Sequence, residues 1–539
     1  MRNVWRFIAF IGALPWLLWR WRGRIVLLCI AAVLCFAAYL YVDYWYRDKP
    51  QAFFDDGARQ FKYGSTGGER LAGIPVGIFK ALPTLCRDYL PKKADGTPGE
   101  GWQSLGFLYE PGMDRPVGTS LRHSLGFDRI SLNCAACHAG TWRDGPQGTA
   151  HIVPGMPAQR LDLVGFAKFV AACAMDERFN PWQVIQAAEQ TGEHYTWFQR
   201  LLLRYTAVPA MREGLILVNY RFRFIDHETA AGPGRFDTFG PEKALLNWPL
   251  ERLPPRQTVG IVDFPSLWLQ APRQGMHLHW DGNNNSLEER NRSASFGTGA
   301  VPTTADRPSL SVIAAWLRSP ANQPPAYPFP IDQAKADRGR VRYDEYCAGC
   351  HGRNGRDFTG RWIGQPDPIE HVRTDPCRLD NYTPELAAEQ GNLYAAYPAE
   401  RFSHFRKTHG YANMPLDGIW LRGPYLHNGS VPAVRDLLEP SANRPAVFYR
   451  GGDIVDQARL GFIANQPVQG DRALFRFETK CVSGAACANE INPENRHDDN
   501  ICVAGKWAGN SNRGHEGPDY GTDLPAEDKD AIVEYLKTF

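Results

Sequence analysis

The sequence predicts a mainly α fold. One N-terminal membrane-spanning helix is followed by two helical units, each organised around a Cys-x-x-Cys-His pentapeptide, with long loops and a large insert in the first unit. Three observations carry this expectation: an uncharged apolar run at residues 25–42, the pentapeptides beginning at Cys134 and Cys347, and a proline-rich boundary between them. The organisation that follows is a basic N-terminus and anchor at residues 1–45, a first unit at 46–330 and a second at 331–539.

The first pentapeptide lies in Asn133 to Gly140, NCAACHAG, and the second is formed by Cys347, Cys350 and His351. Cysteines three apart face the same way on a helical turn. Both can therefore form thioethers to one porphyrin while the next imidazole binds its iron. A Cys-x-x-Cys pair alone would equally suit a redox dithiol or half a zinc site. The histidine decides between them, because chance supplies only on the order of 0.01 such pentapeptides in a chain of this composition. Two covalent haem c groups are thus expected, attached through Cys134, Cys137, Cys347 and Cys350, with His138 and His351 on the irons.

The 539 residues carry a net charge of +2, which supplies no electrostatic footprint for nucleic acid, and no basic stripe interleaves with aromatics. Of twelve cysteines, four belong to the pentapeptides and Cys29 and Cys35 to the apolar run. The remaining six, Cys86, Cys173, Cys377, Cys481, Cys487 and Cys502, allow several disulfide pairings, with a local bridge among the last three expected.

Taken in order, residues 25–42 read IVLLCIAAVLCFAAYLYV, long enough to cross a bilayer, with Tyr39, Tyr41, Tyr44 and Trp45 suited to one interface. Arg2, Arg6, Arg20, Arg22 and Arg24 precede it. Positive charge stays cytoplasmic, which puts the body in the periplasm on a single-pass anchor in a bacterial inner membrane. A cleavable signal peptide is the competing reading. From Phe61, FKYGSTGGERLAGIPVGIF reads as loop or short extended structure. A long insert runs from Ala139 to His279, with helical patterns at Leu161 to Ala174 and Trp197 to Val218. GPGRFDTFG, Gly232 to Gly240, looks like a phosphate loop only superficially and is taken as a turn. SPANQPPAYPFPID, Ser319 to Asp332, can be neither helix nor central strand. Beyond it Asp332 caps a helix running to Tyr346, and a terminal helix near Pro525 presents Ile532, Tyr535, Leu536 and Phe539 on one apolar face.

At His279 to Asn291, HWDGNNNSLEERN, the chain resembles the WDGR-x-x-(S/T)LEEQ segment of bacterial di-haem cytochrome c peroxidases and of the related methylamine dehydrogenase maturation enzyme. The order of motifs matches as well, with GPYLHNG at Gly423 to Gly429 following the second pentapeptide. The long insert, GNSNRGHEG at Gly509 to Gly517 and YLHNGSVP are most similar to the rubber oxygenase branch. The resemblance implies that Trp280 lies between the haems and helps electrons pass. It also marks a departure: the peroxidase glutamine position is Arg290 and the glutamate position falls near Ala300, so the acid and base of peroxide cleavage are missing there. The resemblance to the rubber oxygenases also implies that Phe296 corresponds to their phenylalanine beside an apolar oxygen site.

The sixth iron positions decide function. For haem 2 the candidates are His515, His427 and Met414. The resemblance favours His515, with His427 second. For haem 1 only His151 stands at a spacing where a distal ligand could sit, while His277 and His279 are expected to pack, so this iron is expected open or weakly ligated. The expectation is an oxidoreductase that binds O2 or peroxide at haem 1, oxidises an organic substrate and exchanges electrons with haem 2 through Trp280. Its electron partner would be a periplasmic cytochrome or a quinol-linked chain. The alternatives are a pure electron-transfer cytochrome with both haems six-coordinate, and a redox sensor or maturation partner acting on another protein.

Overall fold

The computed structural model describes residues 2–43, 47–48, 53–226, 228–480 and 508–539. A 41-residue helix, Arg2–Val42, opens the chain, and its Trp21–Val42 portion is apolar enough to span a membrane. At 1.5 Å per residue that portion is about 33 Å long, enough for a hydrocarbon core. Its outward side chains are unburied.

Two short helices and a small sheet pack around the first pentapeptide. Phe61 and Tyr63, on the helix Gly57–Tyr63, are buried against Ile313 and Trp316 of the helix Arg307–Arg318. The sheet is antiparallel, in the order Ile74–Pro75, Phe127–Leu132, Thr119–Ser124. The VGIF portion of the early glycine-rich stretch, expected as loop, instead starts the helix Val76–Leu85. Its apolar residues Ile78, Phe79 and Leu82 reach the core, and burial overrides the weak local pattern. The insert supplies the helices Leu163–Met175, Pro181–Gln190, Trp197–Leu202 and Val208–Arg221, the last two joined by a π-helical turn at Leu203–Ala207. A Cys86–Cys173 disulfide ties the insert to the Val76–Leu85 helix end. Cys377 is also disulfide-bonded. Cys481, Cys487 and Cys502, with the local bridge expected among them, lie outside the described residues, as do Tyr44 and Trp45.

The segment Gly232 to Gly240 is not a simple turn. Arg235–Asp237 pairs with Ile261–Asp263, and a helix follows at Phe239–Leu245. Asp237 itself accepts from the backbone N–H groups of Phe239 and Gly240, so a carboxylate fills the place a phosphate would take.

Asp332 caps the helix Gln333–Tyr346, accepting from Lys335 N at 3.0 Å, as expected from the sequence. The terminal helix Ala526–Leu536 crosses it, with Ile532, Tyr535, Leu536 and Phe539 buried. The crossing is close because Gly339 lacks a side chain: a Cβ there would lie 1.8 Å from the Ala531 carbonyl oxygen. Residues 319–332 hold neither helix nor strand, yet they are not a free linker. Tyr327 and Phe329 pack into an aromatic group with Trp142 and Trp420, which come from either side of this segment in the chain. Buried Asp453 adds a polar tie, accepting from Thr141, Arg143 and Arg160.

The fold is mixed rather than mainly α. Six antiparallel sheets, five of them two-stranded, occur among the described residues. The physical reason is loop length: stretches too rich in glycine and proline for helices satisfy their backbone groups in short ribbons instead.

Candidate haem sites

Cys134–Cys137 form a single helical turn capped by Asn133, whose side chain accepts from Ala135 N at 3.0 Å and donates to the carbonyls of Lys62 and Gly64. Gly118 makes room for this turn, since a Cβ there would lie 2.3 Å from Ala136 backbone atoms. Neither cysteine is disulfide-bonded, which leaves both sulfurs free for thioether attachment. His138 Nδ1 donates to the Pro265 carbonyl at 2.8 Å. A carbonyl only accepts, so the proton is on Nδ1 and Nε2 keeps its lone pair for a metal, the usual outer-shell arrangement of a ligating histidine. Burial first, then the charge of Arg290, pushes the His138 imidazole down to about 3, which keeps it in the neutral, ligand-competent form.

The second pentapeptide repeats this logic on different elements. Ala348–His351 form a turn continuing from the Gln333–Tyr346 helix, and Cys347 and Cys350 are likewise unpaired. His351 Nδ1 donates to the Met414 carbonyl at 2.8 Å. Met414 therefore contributes its backbone on the His351 side, and its sulfur accepts from Arg273 at 3.9 Å.

His515 is the side chain that faces His351: the ring centroids lie 6.2 Å apart, tilted by 38°. Two metal–nitrogen bonds of about 2 Å, each with about 1 Å more to its ring centre, call for a separation of about 6 Å. His515 Nδ1 is buried without a hydrogen-bond partner among the described residues. The loop bearing it is held in place by Arg444, which donates to the carbonyls of Asn512, Gly514 and His515, and by His515 N on the Val372 carbonyl. Burial and the neighbouring His351 push the His515 imidazole down to about 3. The donor set and its spacing thus fit a six-coordinate haem c.

His427 has a different position. Its ring stacks on Tyr411 at 4.0 Å, and its carbonyl accepts from Asp263 N at 2.9 Å. His151 is exposed and stacked on Trp142.

Trp280 is hydrogen-bonded to both the segment before Pro265 and the segment before Met414. Its Nε1 donates to the Asp263 carbonyl at 2.7 Å, two residues before the Pro265 carbonyl that holds His138. Its own carbonyl accepts from Ala412 N at 2.8 Å, two residues before the Met414 carbonyl that holds His351. The flanking segment is firmly set. Asp281 pairs with buried Arg378 at 2.9 Å, and the helix Leu287–Gly297 is capped by Ser286.

Arg290 sits on that helix, its Nη1 donating to Asn291 at 3.0 Å. Burial pushes its guanidinium down to about 10, and its charge acts on Cys134, His138 and His279. His279 is packed and hydrogen-bonded. It adopts φ 64°, its Nδ1 bonds Asn283 at 2.6 Å, and Phe405 stacks on it. Phe296, on the same helix as Arg290, packs against Tyr394 at 4.6 Å and Phe402 at 5.7 Å. Sequence reasoning missed the carbonyls of Pro265 and Met414 and the loop-holding role of Arg444. Backbone acceptors leave no residue-type signal, and a buried arginine reads like any surface charge.

Comparison with known proteins agrees with this chemistry. A family described as RoxA-like, cytochrome c-like matches residues 410–449, the stretch that includes Ala412, Met414 and His427. Two proteins of Sinorhizobium fredii are similar to the chain. The uncharacterized protein y4iJ is 24% identical, with 85% of each chain covered. The uncharacterized protein y4iM is 31% identical over 55% of this chain and 68% of its own length, and the chain belongs to the same family as y4iM.

Proposed function

We propose that the chain is a membrane-anchored, periplasmic di-haem c-type cytochrome that works as an oxidoreductase, with substrate chemistry at haem 1 and electron relay at haem 2. The observation that carries this reading is the double hydrogen bonding of Trp280, which joins the segment holding His138 to the segment holding His351. When bound, the haems would supply the iron redox chemistry, including reaction with O2 or peroxide at the first site.

The chain's own residues divide the remaining work. Cys134, Cys137, Cys347 and Cys350 would hold the porphyrins, and His138 and His351 would bind the irons with Nδ1 fixed by backbone carbonyls. His515 would close the second iron and keep it suited to relay, while His279, whose charge reaches His138, has its Nδ1 bonded to Asn283. Trp280 would position the electron path between them. Arg290 would add positive charge beside the first site, favouring the reduced state there. The helix Arg2–Val42 would anchor the body to the bacterial inner membrane, N-terminus inside, within reach of a quinol-linked chain or a periplasmic cytochrome as electron partner.

The test is reoxidation of the fully reduced, detergent-solubilised full chain by O2 and by hydrogen peroxide. Rapid reoxidation of one haem followed by the other supports the enzyme. Indifference of both haems to either oxidant overturns it in favour of a pure electron carrier.

A further inference from the structure

The end of the N-terminal helix is clamped to the body. Asp43 is fully buried, accepting from Gly126 N at 2.6 Å and bonding His123 at 3.0 Å. Asp48 pairs with Arg70 at 2.7 Å and Arg122 at 2.6 Å. Tyr39, inside the apolar span, packs edge-on against Phe198 of the Trp197–Leu202 helix at 5.3 Å. Gln199 of that helix donates to the Gly126 carbonyl at 3.2 Å, joining it to the tip of the Thr119–Leu132 hairpin.

These contacts set a depth. Tyr39 lies about 5 Å inside the Val42 end of the span, at 1.5 Å per residue. Whatever packs on it shares that level, where a bilayer passes from acyl chains to headgroups. The residues presented around this point suit such a medium and not water. Trp197 is 74% exposed, Tyr205 67%, Trp182 65% and Leu201 43%. Arg204 lies 3.7 Å over the Trp182 ring, a cation on an aromatic, which is a common arrangement at headgroup level. Leu125 tips the adjoining hairpin at φ 53°, 47% exposed, where asparagine or aspartate would be the ordinary choice in water.

We propose that this face, formed by the Trp197–Leu202 helix, its continuation through Tyr205, Trp182 and the Leu125 hairpin tip, is a second membrane contact that seats the body on the outer surface of the bilayer its own helix enters. The occupant is the phospholipid headgroup and upper acyl region, and the continuity with the Trp21–Val42 span selects it over a protein partner. This inference rests on the reading of that span as an uncleaved anchor.

The experiment uses the full chain in phosphatidylethanolamine–phosphatidylglycerol nanodiscs, with the photo-crosslinking residue benzoylphenylalanine replacing Leu34, Trp197, Tyr205 or Val341 one at a time. Lipid adducts at 34, 197 and 205, and none at 341 on the exposed side of the Gln333–Tyr346 helix, are expected. An adduct at 34 without adducts at 197 and 205 overturns the seating surface and leaves the anchor standing. Absence of an adduct at 34 overturns the anchor and the surface together. Protein-to-protein crosslinks at 197 and 205 in place of lipid assign the face to a partner chain and also overturn the proposal.

Discussion

Trp280 Nε1 donates to the Asp263 carbonyl at 2.7 Å, and through it the indole is fixed two residues from the carbonyl that orients His138. The same residue's carbonyl is engaged two residues from the carbonyl that orients His351. Trp280→Phe removes the donor and leaves the Asp263 carbonyl short of a partner, at a cost of about 1 kcal/mol in stability. Electron exchange between the haems should slow by about tenfold, equivalent to about 1.4 kcal/mol on the barrier. Flash-reduction kinetics read at the two haem bands, with each reduction potential unchanged, check this. An unaltered exchange rate would remove Trp280 from the path.

His515→Ala should convert the second haem from low spin to high spin and let it bind CO, and added imidazole should restore the low-spin spectrum. His427→Ala should leave both spin states as they were, since His427 packs on Tyr411 and not opposite His351. Absorption and EPR spectra of the two variants separate the candidates.

How much of this was legible in the sequence depends on whether a role belongs to a side chain or to a backbone. The expectation of covalent attachment at Cys134 and Cys347 comes from spacing, and the Asp332-capped helix is legible in the same way, because capping and periodicity are local. The choice of His515 over His427 needed the resemblance and then the 6.2 Å ring spacing. The carbonyls of Pro265 and Met414 were out of reach, since any residue could supply them. The VGIF helix and the Arg235–Asp237 strand were misread because tertiary burial and long-range pairing, not local pattern, decide them.

Glu289 gives a pH dependence of known sign. Burial pushes its carboxyl up, but hydrogen bonds from the His404 side chain and from the backbone N–H groups of His404 and Ser403 outweigh it and hold the group down to about 2, below its ordinary value of 4.5. A depressed carboxyl stabilises the fold fully above the unfolded value and loses that contribution as pH falls through 4.5 towards 2. Glu289→Gln should therefore cost about 1.5–3 kcal/mol at neutral pH. It should also flatten the acid limb of the stability curve, as read from denaturant unfolding between neutral and acid pH.

Gly339→Ala sets two effects against each other. Alanine gains about 1 kcal/mol over glycine in a helix interior. The added methyl would lie 1.8 Å from the Ala531 carbonyl oxygen, and overpacking of this kind costs about 1–3 kcal/mol. The clash is with backbone, so the loss should win and Tm should fall. A raised Tm would mean that the two helices cross less closely.

The most direct test of the central claim is the EPR and absorption spectrum of the detergent-solubilised full chain, oxidised and reduced, with and without CO. The account predicts one low-spin haem from the His351–His515 pair, and one haem with a high-spin ferric signal that binds CO when reduced. Two low-spin signals, both indifferent to CO, would contradict it and leave an anchored electron carrier.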